Sequence, residues 1–536
     1  MNPPLRGPRL VAAAVALTLA LGGCGKPADC PRCETLVIAA LGEPDHLLSP
    51  FVWQSVGRDI GDLVYERLAI LDPVRAPLDS TAYRAGLAER WERVDSLTWL
   101  FHLRPDARWQ DGVAVTASDV VFSFEAHQDS ALDAANRAAL SDLRATTEDD
   151  RTVRIAFQSY RPDQLYDATS HVRVFPRHVW DSVPRDRWGA SADPARLTGS
   201  GPYRVAEWRR GQLLTLEAVS ASAPIRRITW QFAQGPDALT NLVLSGDVDL
   251  VETLPDQARL AEVSRAPHLK VISYPSAVYG FLGFNFARRG GWNDVRVRRA
   301  LTLGLDRETL VRAIFGPGTA VPNGPLSAQL WLWETPPGAE GDSAAAVRLL
   351  DSAGWTPGRD GLRRQQSRSL TVDILVPGTS APRRSLATAI QERWRRLGVQ
   401  ATVTVVDFPV FQERLGQGRF DTYIGSWLDE PHPRSLTDQW TRGGWGNLNY
   451  GKYASPAFDS VFALAVSEAD SARARSYWRT ALQTLNADAP AIWLFNPRNN
   501  AVVHRRVGAD RFPPFAWLSD LPGWALADPA SVQSRQ

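Results

Sequence analysis

The stretch at residues 385–427, SLATAIQERWRRLGVQATVTVVDFPVFQERLGQGRFDTYIGSW, changes hydrophobic period along its length, and those changes decide the fold. Leu386, Ile390, Trp394 and Leu397 fall at helical spacing and Gly398 follows as a C-terminal stop, which predicts a helix with one buried face. Val399, Ala401, Val403 and Val405 then alternate as in a strand, a short helical stretch holds Phe411 and Leu415, and the apolar pair Tyr423-Ile424 precedes Gly425. This β-α-β order predicts a parallel pair with a right-handed crossover. Open α/β sheets bind ligands outside the carboxyl ends of their strands. The loop 427–433 is therefore a candidate site by topology alone.

Working outward, residues 91–94 and 98–103 read as strands and Asp111-Gly112 as a turn. A helix is then entered through Thr116 or Ser118, whose hydroxyls can take an unpaired amide of the first turn. Further strands are expected at 35–40 and twice between 201 and 217, and a helix over about 58–68. A helix holding Leu239, Leu242 and Val243 is ended by the turn Ser245-Gly246-Asp247. Residues 71–196 stand apart as a segment rich in Trp, Arg and Asp, and no internal repeat is visible.

With 536 residues, 44% hydrophobic and 22% charged, the chain can bury more than one core and is expected to form two or three domains. Sixty Lys+Arg against 58 Asp+Glu leave no basic field for nucleic acid, and almost all the cations are arginine. Arg6 and Arg9 precede the apolar run 10–21, which is shorter than the roughly 20 residues needed to span a bilayer core. It reads as a secretory signal segment ending before Cys24. All three cysteines, Cys24, Cys30 and Cys33, are N-terminal, so the folded body is cysteine-free, as suits an exported protein. Cys30 and Cys33 sit in a tether without flanking strand or helix patterns, and read as a local disulfide or two idle thiols.

Residues 87–125, LAERWERVDSLTWLFHLRPDARWQDGVAVTASDVVFSFE, resemble the signature block of family 5 extracellular solute-binding proteins, the peptide-, dipeptide- and nickel-binding components of ABC importers. Later blocks agree in order: GSGPYRVAEWRRGQ from Gly199, LSGDVDL from Leu244, NDVRVRRALTLGLDRETLV from Asn293, and YGKYASPAFD from Tyr450 followed by ADAPAIWLF from Ala487. The resemblance implies an α/β, two-lobed periplasmic-binding-protein fold with hinge strands between the lobes and an extra domain inserted in the first. On this layout residues 1–23 are the signal peptide and 24–33 a lipidated tether. Lobe one takes 34–70, 197–278 and 486–536; the insertion is 71–196, and lobe two is 279–485. Gly22-Gly23-Cys24 resembles the end of a lipobox, making Cys24 the lipidation site and anchoring the protein to the cell envelope, on its periplasmic or extracytoplasmic face.

The resemblance also implies the site. In peptide-binding relatives an aspartate shortly after a Gly-Trp pairs with the peptide's α-ammonium group; here the string is Gly425-Ser426-Trp427-Leu428-Asp429, one residue shorter between Trp and Asp. Asp429 is the expected ligand contact, with Glu430 as its nearest substitute. Trp427, Trp440, Trp445 and Tyr450 cluster around the same loop as candidate pocket walls, and Phe51 and Trp53 face the cleft from lobe one. Asn285, placed at the interlobe crossing, either lines the cleft or bonds the hinge backbone. Trp109, Asp111, Gly112 and Pro202-Tyr203 read as scaffold.

Asp429-Glu430-Pro431-His432 brings oxygen and imidazole together, yet proline breaks a helix there and no second histidine is near, so no metal or other cofactor is expected. Gly199-Ser200-Gly201 lacks the spacing of a nucleophile elbow, and no enzymatic activity is expected. The expected function is the substrate-binding component of an ABC importer. It captures short peptides between its lobes as a monomer and delivers them to permease subunits driven by ATPases. The alternatives are a non-peptide solute (an oligosaccharide, an opine-like compound or a metal chelate) on the same fold, or a receptor or chaperone without transport.

Overall fold

The computed structural model describes residues 32–527 except 133, 135, 190–193, 255–256, 335–339 and 514. Cys24 and Cys30 lie outside the described residues; Cys33 is disulfide-bonded. Among the described residues no helix is long and apolar enough to cross a membrane.

Two large sheets organise the chain into two lobes. The first has seven strands, in the spatial order Leu269–Pro275, Arg498–His504, Leu250–Val251, Thr35–Leu41, Arg227–Ala233, Leu213–Ala218 and Tyr203–Arg209. Its centre is parallel, Thr35–Leu41 pairing in that sense with both neighbours, and its outer pairs are antiparallel. Leu36 and Ile38 alternate into one core with Leu216, Ile228 and Trp230. The buried Asp249 carboxylate staples this sheet: it accepts from Val37 N at 2.8 Å and pairs with the equally buried Arg506 at 2.5 Å.

The second sheet has five strands, in the order Gln400–Val406, Thr371–Pro377, Thr422–Leu428, Val278–Phe284 and Ala491–Phe495. The helix Ala381–Arg396 packs on it through Leu386, Ile390 and Trp394, all fully buried, and Gly398 ends the turn after it at φ +79°. The β-α-β order holds, but the two strands it was expected to pair are not neighbours. Thr371–Pro377, TVDILVP, lies between them and pairs in parallel with each. Its near-continuous apolar run is the mark of a central strand buried on both faces. Gln400–Val406 is pushed to the edge, leaving Val405 largely exposed.

A four-stranded antiparallel sheet, in the order Ala88–Arg93, Thr98–Leu103, Thr152–Phe157 and Leu143–Asp149, carries a separate core around Phe101, Trp109, Phe124 and Ile155. The helix Ala117–Gln128 covers it, entered at Thr116 rather than Ser118, and the Asp119 carboxylate accepts from Thr116 N at 2.8 Å.

Three boundaries differ from expectation. The first helix is Ser55–Val64, not 58–68: Gly201 N donates to Val64 O at 2.8 Å, and a Cβ on Gly199 would lie 1.8 Å from that oxygen, so the 199–201 segment lies across the helix end. The first interlobe crossing falls at 276–277, between Leu269–Pro275 and Val278–Phe284. The second falls at 496–497, not before 486, because Ala491–Phe495 is still a strand of the five-stranded sheet and the helix before it runs Ser471–Asp488. Asn496 binds the two crossings together. Its amide donates to Ser276 O at 3.0 Å and Val278 O at 2.6 Å, and its carbonyl accepts from Ala328 N at 3.0 Å. These main-chain groups leave the ladders at the hinge and need such partners.

Candidate functional site

The parallel strands Gln400–Val406, Thr371–Pro377 and Thr422–Leu428 deliver their carboxyl ends to one edge, and the last of them runs directly into Asp429. Asp429 is 5% exposed. Its amide donates to Ala277 O of the first crossing at 2.6 Å, and its Oδ2 accepts from Ser327 N at 2.5 Å. No cation pairs with it among the described residues. Burial pushes its carboxyl up to about 7; the Ser327 hydrogen bond works against this and the Glu430 charge adds to it. It is therefore neither a solvated loop carboxylate nor a member of an ion pair, but a desolvated acid held at the hinge.

Beyond Asp429 the chain lines a groove of about 310 Å³. One wall is Glu430, His432, Arg434 and Asp438; the other is Tyr166, on the helix Gln164–Ser170 that follows the four-stranded sheet. Tyr166 is 6% exposed, its ring edge-on to His171 at 5.5 Å, and its hydroxyl has no hydrogen-bond partner among the described residues. His432, 4% exposed, accepts from Arg434 N through Nδ1 at 3.2 Å, which leaves the ring hydrogen to Nε2; burial pushes its pKa down and keeps it neutral.

Through Arg434 the groove adjoins an ion-pair network that ties the 430–438 segment to the region after the four-stranded sheet. Arg434 reaches Asp163 at 2.5 Å and Asp167 at 2.9 and 3.0 Å, and Arg161 holds the same two aspartates and Asp142. Asp163 and Asp167 are fully buried. Burial opposes the charge on Asp167, but hydrogen bonds from His171 and Arg434 and the Arg434 charge prevail, holding its carboxyl well below the usual range. The same pairing raises Arg434 against its own desolvation.

The other expected site residues divide sharply. Trp427 and Tyr450 stack at 6.2 Å and 21°, half-buried beside the loop. Trp445 is 42% exposed, with Arg442 and Lys452 over its ring at 5.4 and 5.7 Å and its N–H given to Tyr453 O. Trp440, expected in the wall, is core instead: it packs edge-on to Phe281 and Trp493 and donates to the Tyr279 hydroxyl at 3.1 Å. Asn285 is not at the crossing. It follows the far end of Val278–Phe284, fully buried, with its amide on Gly418 O and Phe420 O and its carbonyl on Ala287 N. In lobe one Phe51 packs against His46 at 5.3 Å within the first core, and Trp53 is 55% exposed.

Sequence reasoning missed Tyr166, Arg434, Asp163 and Asp167. Arg434 stands one residue beyond the loop flagged by topology, a usable signal, but nothing in the sequence ties it to aspartates 267 and 271 residues away. Among the described residues no group of three His, Cys, Asp or Glu is arranged to hold an ion.

The model of bacterial extracellular solute-binding proteins, family 5, matches residues 82–447, and the chain belongs to that family. It is 25% identical over 544 residues to the periplasmic oligopeptide-binding protein OppA of Escherichia coli (strain K12), covering 93% of this chain and 95% of that one. Among solved structures it resembles the oligopeptide-binding protein AppA of Bacillus subtilis in complex with a nonapeptide (TM-score 0.70, 21% identity, 92% and 99% of the two chains). It also resembles NikZ of Campylobacter jejuni in complex with Ni(L-His) (TM-score 0.72, 20% identity, 92% and 99%). The two-lobed fold is thus that of this family.

Proposed function

We propose that the protein is the substrate-binding component of an ABC importer for short peptides and that Asp429 takes the peptide's α-ammonium group. Asp429 carries the reading: a carboxylate this buried, with no cation beside it among the described residues and one hydrogen bond from Ser327, pays for desolvation with little compensation until a positive ligand arrives. Its place at the carboxyl end of a parallel strand is where such sheets bind ligands, and its hydrogen bond to the crossing segment couples the site to the hinge. The names of the oligopeptide-binding relatives point to the same ligand class. Trp427 and Tyr450 serve as a wall of the cleft. The chain works as a monomeric binder without chemistry of its own, exported, lipid-anchored through Cys24, and presenting its closed form to a permease.

The test is calorimetric titration of the mature chain with trialanine, N-acetyl-trialanine and trialanine against Asp429→Asn. Removing one partner of a buried charge pair costs about 2–5 kcal/mol, so acetylation and the substitution should each weaken binding by at least ~30-fold. Equal affinity for the blocked and free peptides would remove Asp429 from the ligand site.

A further inference from the structure

We infer that the groove between Tyr166 and the 430–438 segment is a subsite for a cationic side chain, lysine or arginine, at one of the first two residues of the bound peptide. The inference rests on the peptide reading above and adds the side-chain class the site selects. Its first support is charge. Behind the groove, two arginines, Arg161 and Arg434, are paired with three aspartates, Asp142, Asp163 and Asp167, the last of which also bonds His171, so the arginines bring no surplus positive charge to the groove. Glu430 and Asp438 on the rim are exposed and take part in no ion pair among the described residues. Arg434, the one arginine or lysine among the described lining residues, does not compete for the space, because its guanidinium is turned onto Asp163 and Asp167.

The second support is independent of charge. Tyr166 is more than nine-tenths buried as a residue and lines the groove, and its hydroxyl has no hydrogen-bond partner among the described residues. The hydroxyl offers lone pairs to an ammonium or guanidinium donor while the ring adds cation–π attraction. The third support is position. Glu430, which lines the groove, is the residue after Asp429, so the groove adjoins the proposed α-ammonium site and lies within reach of the first side chains of a peptide held there. About 310 Å³ accommodates a lysine or arginine side chain with accompanying water.

The experiment compares, by calorimetry on the mature chain, Lys-Ala-Ala and Ala-Lys-Ala with their norleucine counterparts, which keep the aliphatic stem and lose the charge. At one of the two positions lysine should bind about 10-fold tighter than norleucine, and the ratio should shrink as salt is raised. In Glu430→Gln the ratio should fall toward 1, and in Tyr166→Phe it should fall by about 3-fold. Ratios taken within one variant cancel any general loss of folding or affinity. Ratios near 1 at both positions, with trialanine still bound, overturn the subsite and leave the peptide reading standing. Failure of every free-amine peptide to bind overturns both.

Discussion

At the residue scale the consequential group is Asp429. A carboxyl pushed up to about 7 is half-protonated at neutral pH, and only its ionised form can hold an ammonium group. The groups acting on it are Ser327, which hydrogen-bonds it, the Glu430 charge, and the Tyr279 phenol beside it, which is itself engaged with Gln439 and Trp440. Peptide affinity should therefore rise from pH 5 to about 8 with release of a proton on binding, then fall as the peptide's own amine, with a pKa near 8, loses its charge. Titrations in buffers of differing ionisation enthalpy measure that proton; binding with no proton exchange at pH 6.5 would contradict the assignment. Without ligand the sign reverses. An acid whose folded pKa is raised binds more protons folded than unfolded, so it costs the fold stability as pH climbs from about 4 to about 7. A shift from 3.8 to about 7 corresponds to a ceiling of about 4 kcal/mol. Asp59, likewise raised to about 7 by burial, contributes with the same sign. The Asp429→Asn difference from wild type isolates Asp429: the variant's melting temperature should gain most on wild type at pH 8 and least at pH 5.

At the element scale, the helix Ala381–Arg396 shows what a sequence can and cannot disclose. Its buried face was legible because Leu386, Ile390 and Trp394 must share one side at 3.6 residues per turn, and all three are fully buried. Trp394 also donates to Leu301 O at 2.9 Å, so Trp394→Ala should cost about 3–5 kcal/mol in denaturant unfolding. Trp445→Ala, at a half-exposed site, should cost far less, and equal losses at the two positions would contradict this packing. Strand order was not legible. Alternation at Val399, Ala401 and Val403 announces a strand but carries no information on which neighbour it takes, and Thr371–Pro377 fills the gap. The aromatic cluster failed for a related reason: residue type marks Trp440 and Trp427 equally, and only the packed sheet decides that Trp440 faces Phe281 while Trp427 stacks on Tyr450. Asn285 was misplaced by one strand length because the crossing lies at the start of Val278–Phe284 and not at its end.

At the scale of the whole molecule, the contact of Arg434 with Asp163 and Asp167 joins the segment after the five-stranded sheet to the region carrying the four-stranded one. A ligand closes a two-lobed protein only by the amount it prefers the closed state. A standing ion pair across the same gap shares that work before any ligand binds. Its aspartates are buried, so salt screens it weakly, and removing Arg434 leaves them one arginine, Arg161, beside the histidines His171 and His432. Losing one side of such a pair costs about 2 kcal/mol at the low end, which moves an open–closed balance by roughly 30-fold. Arg434→Ala should then enlarge the radius of gyration of the unliganded protein in small-angle scattering. It should also weaken trialanine, since apparent affinity falls with the fraction of competent molecules. Loss for a peptide with no basic side chain separates closure from recognition at the groove, where Glu430→Gln acts on the lysine-to-norleucine ratio. Unchanged scattering and unchanged affinity in Arg434→Ala would mean that the network only braces the insertion and has no part in closing the lobes.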